Sequence, residues 1–306
     1  MSDLIAKETS CKQSSLGQCT AINRLLEPVE RDLGGFSVRR FLPSKELASV
    51  GPFIFFDHLG PAVFPPGTGI DVRPHPHIGL ATVTYVFSGE ILHRDNLGHV
   101  QPIRPNEINW MTAGKGIVHS ERTGLELRRQ GHTLEALQLW LALPEEEQEC
   151  EPFFTHYGES SLPLVEHEKM KIRVLIGEAF GVKSAVKTHS STLYAEVLLE
   201  PGGRVALPEH IKERAVYVVS GKLTVQGTEL KQHQMAIFDK SPAVEFEATE
   251  PTRLVIIGGK KLGKRTVWWN LVSSRKELIE QAKQDWREKK FPRVPGETEF
   301  IPLPQE

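Results

Sequence analysis

Short apolar stretches separated by turn residues dominate the chain from Gly34 onward. Each stretch has about four to eight large or β-branched residues, as at 81–87, 172–176 and 254–257, and clusters of Gly and Pro lie between them. Helical periodicity does not alternate with these stretches. Many short strands with frequent turns are typical of β-sandwiches and β-barrels, so the sequence predicts an all-β protein.

One part of this pattern occurs twice. Residues 84–91, with the sequence TYVFSGEI, resemble residues 216–223, with the sequence VYVVSGKL. In both copies a strand ends in Ser-Gly and a second strand begins at once, which predicts a β-hairpin. Because the copies hold equivalent places in two similar halves, we expect two antiparallel β-barrels of like design.

The end of the chain changes to a helical pattern. The sequence SRKE at 274–277 has the spacing of a capping box, in which Ser274 and Glu277 each accept from the other's backbone N–H. Apolar residues then recur at helical spacing from Leu278 to Trp286. We expect one helix from about Ser274 to Lys289, whose apolar stripe packs against the protein.

The length of 306 residues also favours two domains. Residues 1–22 are rich in Ser, Thr, Gln and Lys, which predicts a loosely ordered tail. The acidic stretch 145–149 belongs to the connection between the barrels. We therefore place the first barrel at 23–148, the second at 149–272, and the helix with a tail at 273–306.

Charge and cysteine content exclude several classes of function. Lys and Arg total 37 against 39 Asp and Glu, so the net charge of -2 offers no basic face to nucleic acid. No apolar run is long enough for a membrane span, and no secretory signal is recognisable. Cys11, Cys19 and Cys150 form no C-x-x-C pair and indicate a reducing compartment. We expect a cytoplasmic protein with no nucleic acid or membrane partner.

Half of the 12 histidines lie between His58 and His119. His75 and His77 are separated by one residue, and so are His119 and Glu121. Side chains at positions i and i+2 of a strand share a face, so two strands can direct all four side chains at one interior point. Such a set suits iron, manganese, nickel, cobalt, copper or zinc, but not calcium or magnesium. Unrelated histidines are the alternative, which two matching pairs make less attractive.

Other residues near these pairs allow two interpretations. His93 and Asp95 follow the first Ser-Gly segment, and they either orient a ligand imidazole from behind or satisfy a turn. A set of aromatic residues either lines an apolar pocket over the metal or belongs to the barrel core: Phe53, Phe55, Phe56 and Trp110.

Two motifs surround the paired ligands. They are RPHPHIG at 73–79 and WMTAGKGIVHSE at 110–121, and with them the chain resembles the pirin family of the cupin superfamily, above all in the string G-x-G-x-x-H-x-E. The segments LGGFSVRR at 33–40 and GPFIFFDH at 51–58 resemble the opening of the family. Asn106 stands where the family more often has Gly in a Pro-Gly-Asp turn, and we expect the turn to be kept because Asn tolerates a positive φ.

The resemblance implies a bicupin with one divalent transition metal in the N-terminal barrel, bound by His75, His77, His119 and Glu121. Iron is the first expectation, and manganese, nickel, cobalt, copper and zinc are the alternatives. Many cupins carry a glutamate shortly after the His-x-His pair; this chain has none there, so Glu121 supplies the carboxylate, as it does in pirins.

The second barrel is expected to be free of metal. Alignment of the two Ser-Gly segments places Leu207 and Glu209 at the positions of His75 and His77, and no His-x-Glu follows. A structural role is therefore the better expectation for this barrel.

The resemblance also implies a reaction. Pirin-like proteins of the bacterial type resemble quercetinases, which are metal-dependent dioxygenases that open a flavonol with O2 and release carbon monoxide. The small aromatic substrate would then bind the metal through its 3-hydroxyl group. Glu121 would be the catalytic residue that accepts the hydroxyl proton.

Two other functions remain open. A non-catalytic regulator would bind metal and change its binding of a protein partner with the oxidation state of that metal. A metal-stabilised scaffold is the third possibility, but open cupin sites argue against it because structural metal sites tend to be closed. Turnover of a flavonol by the metal-loaded protein separates the first function from the other two.

Overall fold

The computed structural model describes residues 21–32, 36–239 and 244–305. These residues form two compact units, each described here by itself. Of the described residues, the first barrel comprises 30–32, 36–43, 54–159 and 262–305, and the second comprises 21–29, 44–53, 160–239 and 244–261. The chain therefore enters each unit more than once.

The described residues contain 26 strands, two α-helices and one 3-10 turn at Glu159–Ser161. The strands of the first half are β1 (Arg24–Leu26), β2 (Val29–Asp32), β3 (Ser37–Leu42), β4 (Phe53–Phe64), β5 (Asp71–His77), β6 (Leu80–Ser88), β7 (Ile91–Asp95), β8 (Val100–Ile103), β9 (Ile108–Thr112), β10 (Ile117–Arg122), β11 (His132–Ala142) and β12 (Phe153–Tyr157). The remaining elements are β13 (Leu164–His167), β14 (Met170–Ile176), β15 (Glu178–Ala179), β16 (Val182–Lys183), β17 (Thr192–Leu199), β18 (Arg204–Ala206), β19 (Glu213–Ser220), β20 (Lys222–Val225), β21 (Thr228–Lys231), β22 (Met235–Asp239), β23 (Glu245–Ala248), β24 (Thr252–Gly259), β25 (Thr266–Trp268) and β26 (Leu271–Ser273), with helices α1 (Leu125–Gln130) and α2 (Lys276–Arg287).

The first barrel is built from two antiparallel sheets. The larger has the order β12-β9-β6-β11-β4-β3-β2, and the smaller has the order β5-β10-β7-β8. Alternate residues of β6 face the interior, where Leu80 and Val86 belong to two separate apolar clusters. Thr84 lies between them on the same face, so the middle of the barrel is polar while its two ends are apolar.

The second barrel repeats this plan. Its sheets have the orders β1-β22-β19-β24-β17-β14-β13 and β18-β23-β20-β21. A large apolar cluster of described residues fills its interior, and Leu207 is a buried member of that cluster together with Val216, Val218 and Phe246. Among the described residues, no group of three possible metal ligands lies wholly within this barrel. The expectation that it binds no metal stays a prediction.

The repeated Ser-Gly segments hold equivalent places in the two barrels, but the predicted hairpin is wrong. In both copies the strand before Ser-Gly belongs to the larger sheet, and the strand after it belongs to the smaller one. Gly89 and Gly221 have φ values of 82° and 80°, which turn the chain at this point. The segment is therefore a corner between two sheets, which the local sequence alone does not distinguish from a hairpin.

The C-terminal helix is present, but its predicted capping box is wrong. Helix α2 begins at Lys276, and its first residue is preceded by Arg275, which makes no side-chain cap. The Ser274 hydroxyl instead contacts the Gln148 side chain, which also accepts from the Ser274 N–H at 3.0 Å. Ile279 packs into an apolar cluster of the first barrel, so the apolar stripe of the helix packs against the protein as expected.

Other expectations about the chain fare differently. The turn at Asn106 is kept, with a φ of 67°, as expected. The short helix α1 was not predicted. The tail expected at 1–22 lies outside the described residues except for its last two positions, and the boundaries 23–148, 149–272 and 273–306 stay predictions. Neither helix in the described part of the chain is long and apolar enough to cross a membrane; a cytoplasmic location stays a prediction.

Candidate metal centre

Three of the four predicted ligands meet inside the first barrel. His75 and His77 lie on β5, His119 lies on β10, and the two strands pair antiparallel with His119 directly opposite His75. All three side chains are buried. One nitrogen of each ring belongs to a group whose members all lie within 4.8 Å of one another. The i and i+2 spacing thus directs the histidines to one point, as the sequence predicted.

Hydrogen bonds at the back of each ring determine which nitrogen faces this point. His75 donates its Nδ1–H to the carbonyl oxygen of Arg73 at 2.8 Å, and His77 donates its Nδ1–H to that of Asn270 at 3.1 Å. A neutral imidazole has one N–H, so the Nε2 of each ring is left with a lone pair. This is the form in which histidine binds a metal.

His119 is oriented by a longer chain of side chains. Asp95 accepts from His93 Nε2–H at 3.0 Å, so His93 Nδ1 can only accept, and His119 Nδ1 lies 3.4 Å from it. Asp95 also accepts from the backbone N–H groups of Leu97 and His99. His93 and Asp95 therefore satisfy a turn and also orient a predicted ligand, so both sequence interpretations hold together.

The arrangement of ring nitrogens fits a metal ion. The Nε2 atoms of His77 and His119 are 3.1 Å apart, and in these tautomers neither nitrogen has a proton to share. Burial lowers the pKa of His75 to about 4 and the pKa values of His77 and His119 well below their usual range, and the neighbouring imidazoles add to the effect for His77 and His119. Neutral rings with facing lone pairs repel each other unless a cation lies between them, so the donor set suits a transition metal.

Glu121 lies beside this group but is not one of its members. Its Oε1 is 3.2 Å from the hydroxyl of Thr84, and that hydroxyl is also 2.8 Å from Oε1 of Gln138. Burial raises the pKa of Glu121 to about 7, against the opposing effect of the Thr84 hydrogen bond. The role of Glu121 as fourth ligand, like the whole ligand set, stays a prediction.

A β-bulge interrupts the pairing of β5 with β10 between His119 and Glu121. His119 pairs with His75, but Glu121 pairs with Val72, so β5 has one more residue than β10 in this interval. Arg73 and Pro74 lie in this interval and have no paired residue on β10 in the register. Arg73 uses its carbonyl to orient the His75 ring, as described above. The irregularity therefore helps to build the site.

The chain also matches known protein families along most of its length. The family model described as Pirin matches residues 35–141, and that described as Pirin C-terminal cupin domain matches residues 194–292. A pirin-like protein of Caulobacter vibrioides is 47% identical over 289 residues, which cover 93% of this chain and 100% of that protein. This chain belongs to the pirin family.

Two further relatives carry an enzyme name. A Pseudomonas aeruginosa protein, named provisionally as a quercetin 2,3-dioxygenase, is 36% identical over 83% of this chain and 80% of its own length. The crystal structure of a quercetin 2,3-dioxygenase from Acinetobacter baumannii superposes with a TM-score of 0.86 at 31% identity, over 92% of this chain and 95% of that one. The predicted fold, two cupin barrels followed by a C-terminal helix, is confirmed.

Aromatic residues form one wall of the pirin site. Trp140 lies edge-on to His77, with ring centroids 5.1 Å apart, and Phe55 stacks on Trp140 at 4.0 Å. Of the four aromatic residues proposed from the sequence, only Phe55 is part of this wall. Trp110, for example, is buried and donates its indole N–H to Thr112. The core interpretation therefore holds for Trp110, because β9 turns it away from the face that carries Met111.

Sequence reasoning missed four residues that shape the site. Gln138, Thr84 and Asn109 pair directly across β11, β6 and β9, so they form a polar row on one inner face. Asn270, in the turn between β25 and β26, supplies the carbonyl that orients His77. Polar residues within otherwise apolar strands were a usable signal for the row. No local signal marks Asn270, because its role depends on a contact 193 residues away in sequence.

Proposed function

We propose that this pirin is a metal-dependent dioxygenase of the quercetin 2,3-dioxygenase type. It would open a flavonol-like substrate with O2 and release carbon monoxide. The observation that carries the proposal is the convergence of one ring nitrogen from each of three buried histidines, with Glu121 two residues after His119 on the same strand. Relatives that bear this enzyme name, at 36% and 31% identity, support it.

His75, His77 and His119 would hold one divalent transition metal, with Glu121 as the fourth ligand. Iron is the first candidate, with manganese, nickel, cobalt, copper and zinc as alternatives, since all accept imidazole and carboxylate donors. When bound, the metal supplies a Lewis acid that orients the substrate oxygen and stabilises its anion. With these four protein ligands, a six-coordinate ion would still be able to bind substrate or water.

Glu121 would accept the proton of the substrate 3-hydroxyl group. A carboxylate oxygen within hydrogen-bonding distance of that group can act as a general base. The Thr84 hydroxyl has one proton and lies within hydrogen-bonding distance of both Glu121 and Gln138. Thr84 orients Glu121 when it donates this proton to Oε1 of Glu121. The Gln138 side chain then turns its amide NH2 group toward the Thr84 oxygen and donates to it. The polar row, which lies on the larger sheet, would thus orient the base, which lies with the histidines on the smaller sheet.

The walls of the interior match a flat, oxygen-rich aromatic substrate. Phe55 and Trp140 offer ring faces and edges for stacking. Three polar residues on the inner face are only partly buried, namely Arg40, Gln138 and Glu121, and they mark the side of the barrel where the interior meets solvent. In the reaction the substrate would take up both atoms of O2 and lose one ring carbon, together with one oxygen, as carbon monoxide.

The test is turnover by purified protein of known metal content. Protein loaded in turn with iron, manganese, nickel, cobalt or copper is mixed with a flavonol under air, while loss of flavonol absorbance and release of carbon monoxide are followed. We expect both signals in parallel with at least one metal. Metal-loaded protein that releases no carbon monoxide from any flavonol would refute the proposal and favour a non-catalytic regulator with a protein partner.

A further inference from the structure

The C-terminal segment after helix α2 runs along the outer side of the two strands that bear the predicted ligands. Residues 294–301 are called the C-terminal strap here. The Ile301 N–H donates to the carbonyl oxygen of Pro74 at 2.8 Å, and the indole N–H of Trp286 donates to the carbonyl oxygen of Ile301 at 2.9 Å. Val294 is buried at the other end of the strap. Helix α2 and β5 therefore hold the strap in place.

One carboxylate of the strap binds two neighbouring side chains of β10. Oε1 of Glu297 accepts from the Ser120 hydroxyl at 2.8 Å and from Nε of Arg122 at 2.9 Å, and Oε2 accepts from Nη2 of Arg122 at 2.7 Å. Glu297 has a side-chain exposure of 9%, so water competes little for these bonds. Such charge-assisted, two-oxygen pairs are the strongest side-chain hydrogen bonds in proteins.

The positions of these contacts alternate with the predicted ligands. Ser120 and Arg122 point to the outer face of β10, whereas His119 and Glu121 point to the inner face. Glu297 therefore binds the residues on both sides of Glu121, and one of them, Ser120, directly follows His119. Because Ser120 and Arg122 are bonded to His119 and Glu121 along the backbone, a shift of the backbone at Ser120 or Arg122 also moves a predicted ligand.

The strap also compensates for the bulge in the ladder between β5 and β10. Regular pairing is lost between His119 and Glu121, where an extra residue on β5 faces β10. In this interval the strap accepts or donates bonds to both strands, through Pro74 on β5 and Ser120 on β10. The strap thus restrains the ligand strands where their own ladder does not.

We propose that Glu297 is a positioning residue of the metal centre, which sets the placement of His119 and Glu121 from the outer face of β10. The inference rests on the ligand set of the proposed function, but it does not depend on any reaction. The hydrogen bonds of Glu297 to Ser120 and Arg122 are called the Glu297 clamp here. The inference predicts that the affinity for a metal and the geometry of the bound metal both change when this clamp is weakened.

Glu297→Gln is the direct test, and Glu299→Gln is its matched control. Gln keeps the shape of Glu297 but turns an NH2 group toward Ser120 or Arg122, so at least one contact is lost. Glu299 also accepts from Arg122, at 2.9 Å, but its side chain is 55% exposed and it does not contact β10 elsewhere in the described structure. The two variants remove the same charge, and only one of them affects the clamp on Ser120.

Cobalt(II) serves as the probe, with its dissociation constant measured by chelator competition and its visible spectrum recorded. Loss of a group that hydrogen-bonds directly to a metal ligand typically weakens binding about 10- to 100-fold. Glu297 acts through the backbone of β10, so we expect Glu297→Gln to weaken cobalt binding by about 10-fold, the lower end of this range, with an altered spectrum. Glu299→Gln should match the wild type in both. The melting temperature of the metal-free proteins reports stability separately.

The outcomes separate this inference from the proposed function. If Glu297→Gln lowers the melting temperature but leaves cobalt affinity and spectrum unchanged, the clamp is merely structural and the inference is overturned. If Glu297→Gln does not fold, Ser120→Ala replaces it, since it removes one bond and keeps the ion pair; unchanged cobalt binding there also overturns the inference. Wild-type protein that binds cobalt but turns over no flavonol contradicts only the proposed function.

Discussion

Glu121→Gln tests the catalytic assignment most directly. Gln retains the shape of the side chain and an oxygen that can accept from Thr84, which lies 3.2 Å from Oε1. It cannot accept a proton from the substrate. The three histidines keep their Nε2 atoms, because none of the hydrogen bonds that orient their rings involves Glu121. Metal should therefore be retained in good part while turnover falls.

The size of both effects can be estimated. General-base catalysis typically contributes about 10²–10⁴ in rate, so turnover per bound metal should fall by that factor, or about 3–5 kcal/mol in the barrier. The assay follows flavonol absorbance under air, with carbon monoxide as second product, and divides each rate by measured metal content. A rate that falls only in proportion to metal content would refute the role of Glu121 as base.

Stability of the metal-free protein provides an independent readout of Glu121. Burial raises its pKa from 4.5 to about 7, so the folded state binds its proton more tightly than the unfolded state does. Stability is therefore lost as the pH rises from about 4.5 to about 7. The loss is at most about 3 kcal/mol, because part of the Glu121 side chain is exposed to solvent. Glu121→Gln removes this loss. Urea unfolding at pH 8 and pH 5 should show the variant more stable than wild type, chiefly at pH 8, and equal stabilities at pH 8 would contradict it.

Three further experiments, with five variants, test other parts of the structure. His75→Ala should sharply lower metal occupancy in elemental analysis and Leu207→Ala, at the matching position of the second barrel, should not; equal occupancy would contradict the ligand assignment. Gly79→Ala should lower the melting temperature and metal occupancy, because a Cβ there would lie 1.9 Å from a carbonyl oxygen and φ is +68°; an unchanged melting temperature would count against this. Thr84→Val should slow flavonol turnover and Thr84→Ser should restore it, since only Ser can still donate to Glu121, and equal rates in the two variants would argue against the polar row.

Hydrophobic patterning predicted the fold because each strand carries its own local signal. Alternation of inward and outward residues needs only neighbouring positions, and it was sufficient for two barrels and a helix. The ligand pairs were visible for the same reason, since His75 and His77 share a face by spacing alone. The pairing of their strand with the strand that bears His119 was not predicted, and only the register shows it.

Local patterns were misleading where a side chain or a turn has two possible partners. The first Ser-Gly segment has the sequence of a hairpin, yet it joins two different sheets. The strand that follows it, β7, pairs with β10 and β8 and not with β6. Ser274 has the position of a helix cap, yet Gln148 binds it instead. In both cases a contact with a distant part of the chain replaced the local one.

The sequence by itself determined the strand pattern, the two barrels and the identity of the histidines that could bind a metal. Only the tertiary structure decided how these histidines are oriented, because Asn270 contacts the His77 ring and Asp95 acts on the His119 ring through His93. It alone revealed that Glu297 grips β10 from outside, since no periodicity links residue 297 to residue 120. Periodicity records which face of a strand a side chain occupies; hydrogen bonds between residues far apart in the chain depend on how the strands are packed, and that is decided only when the whole unit folds.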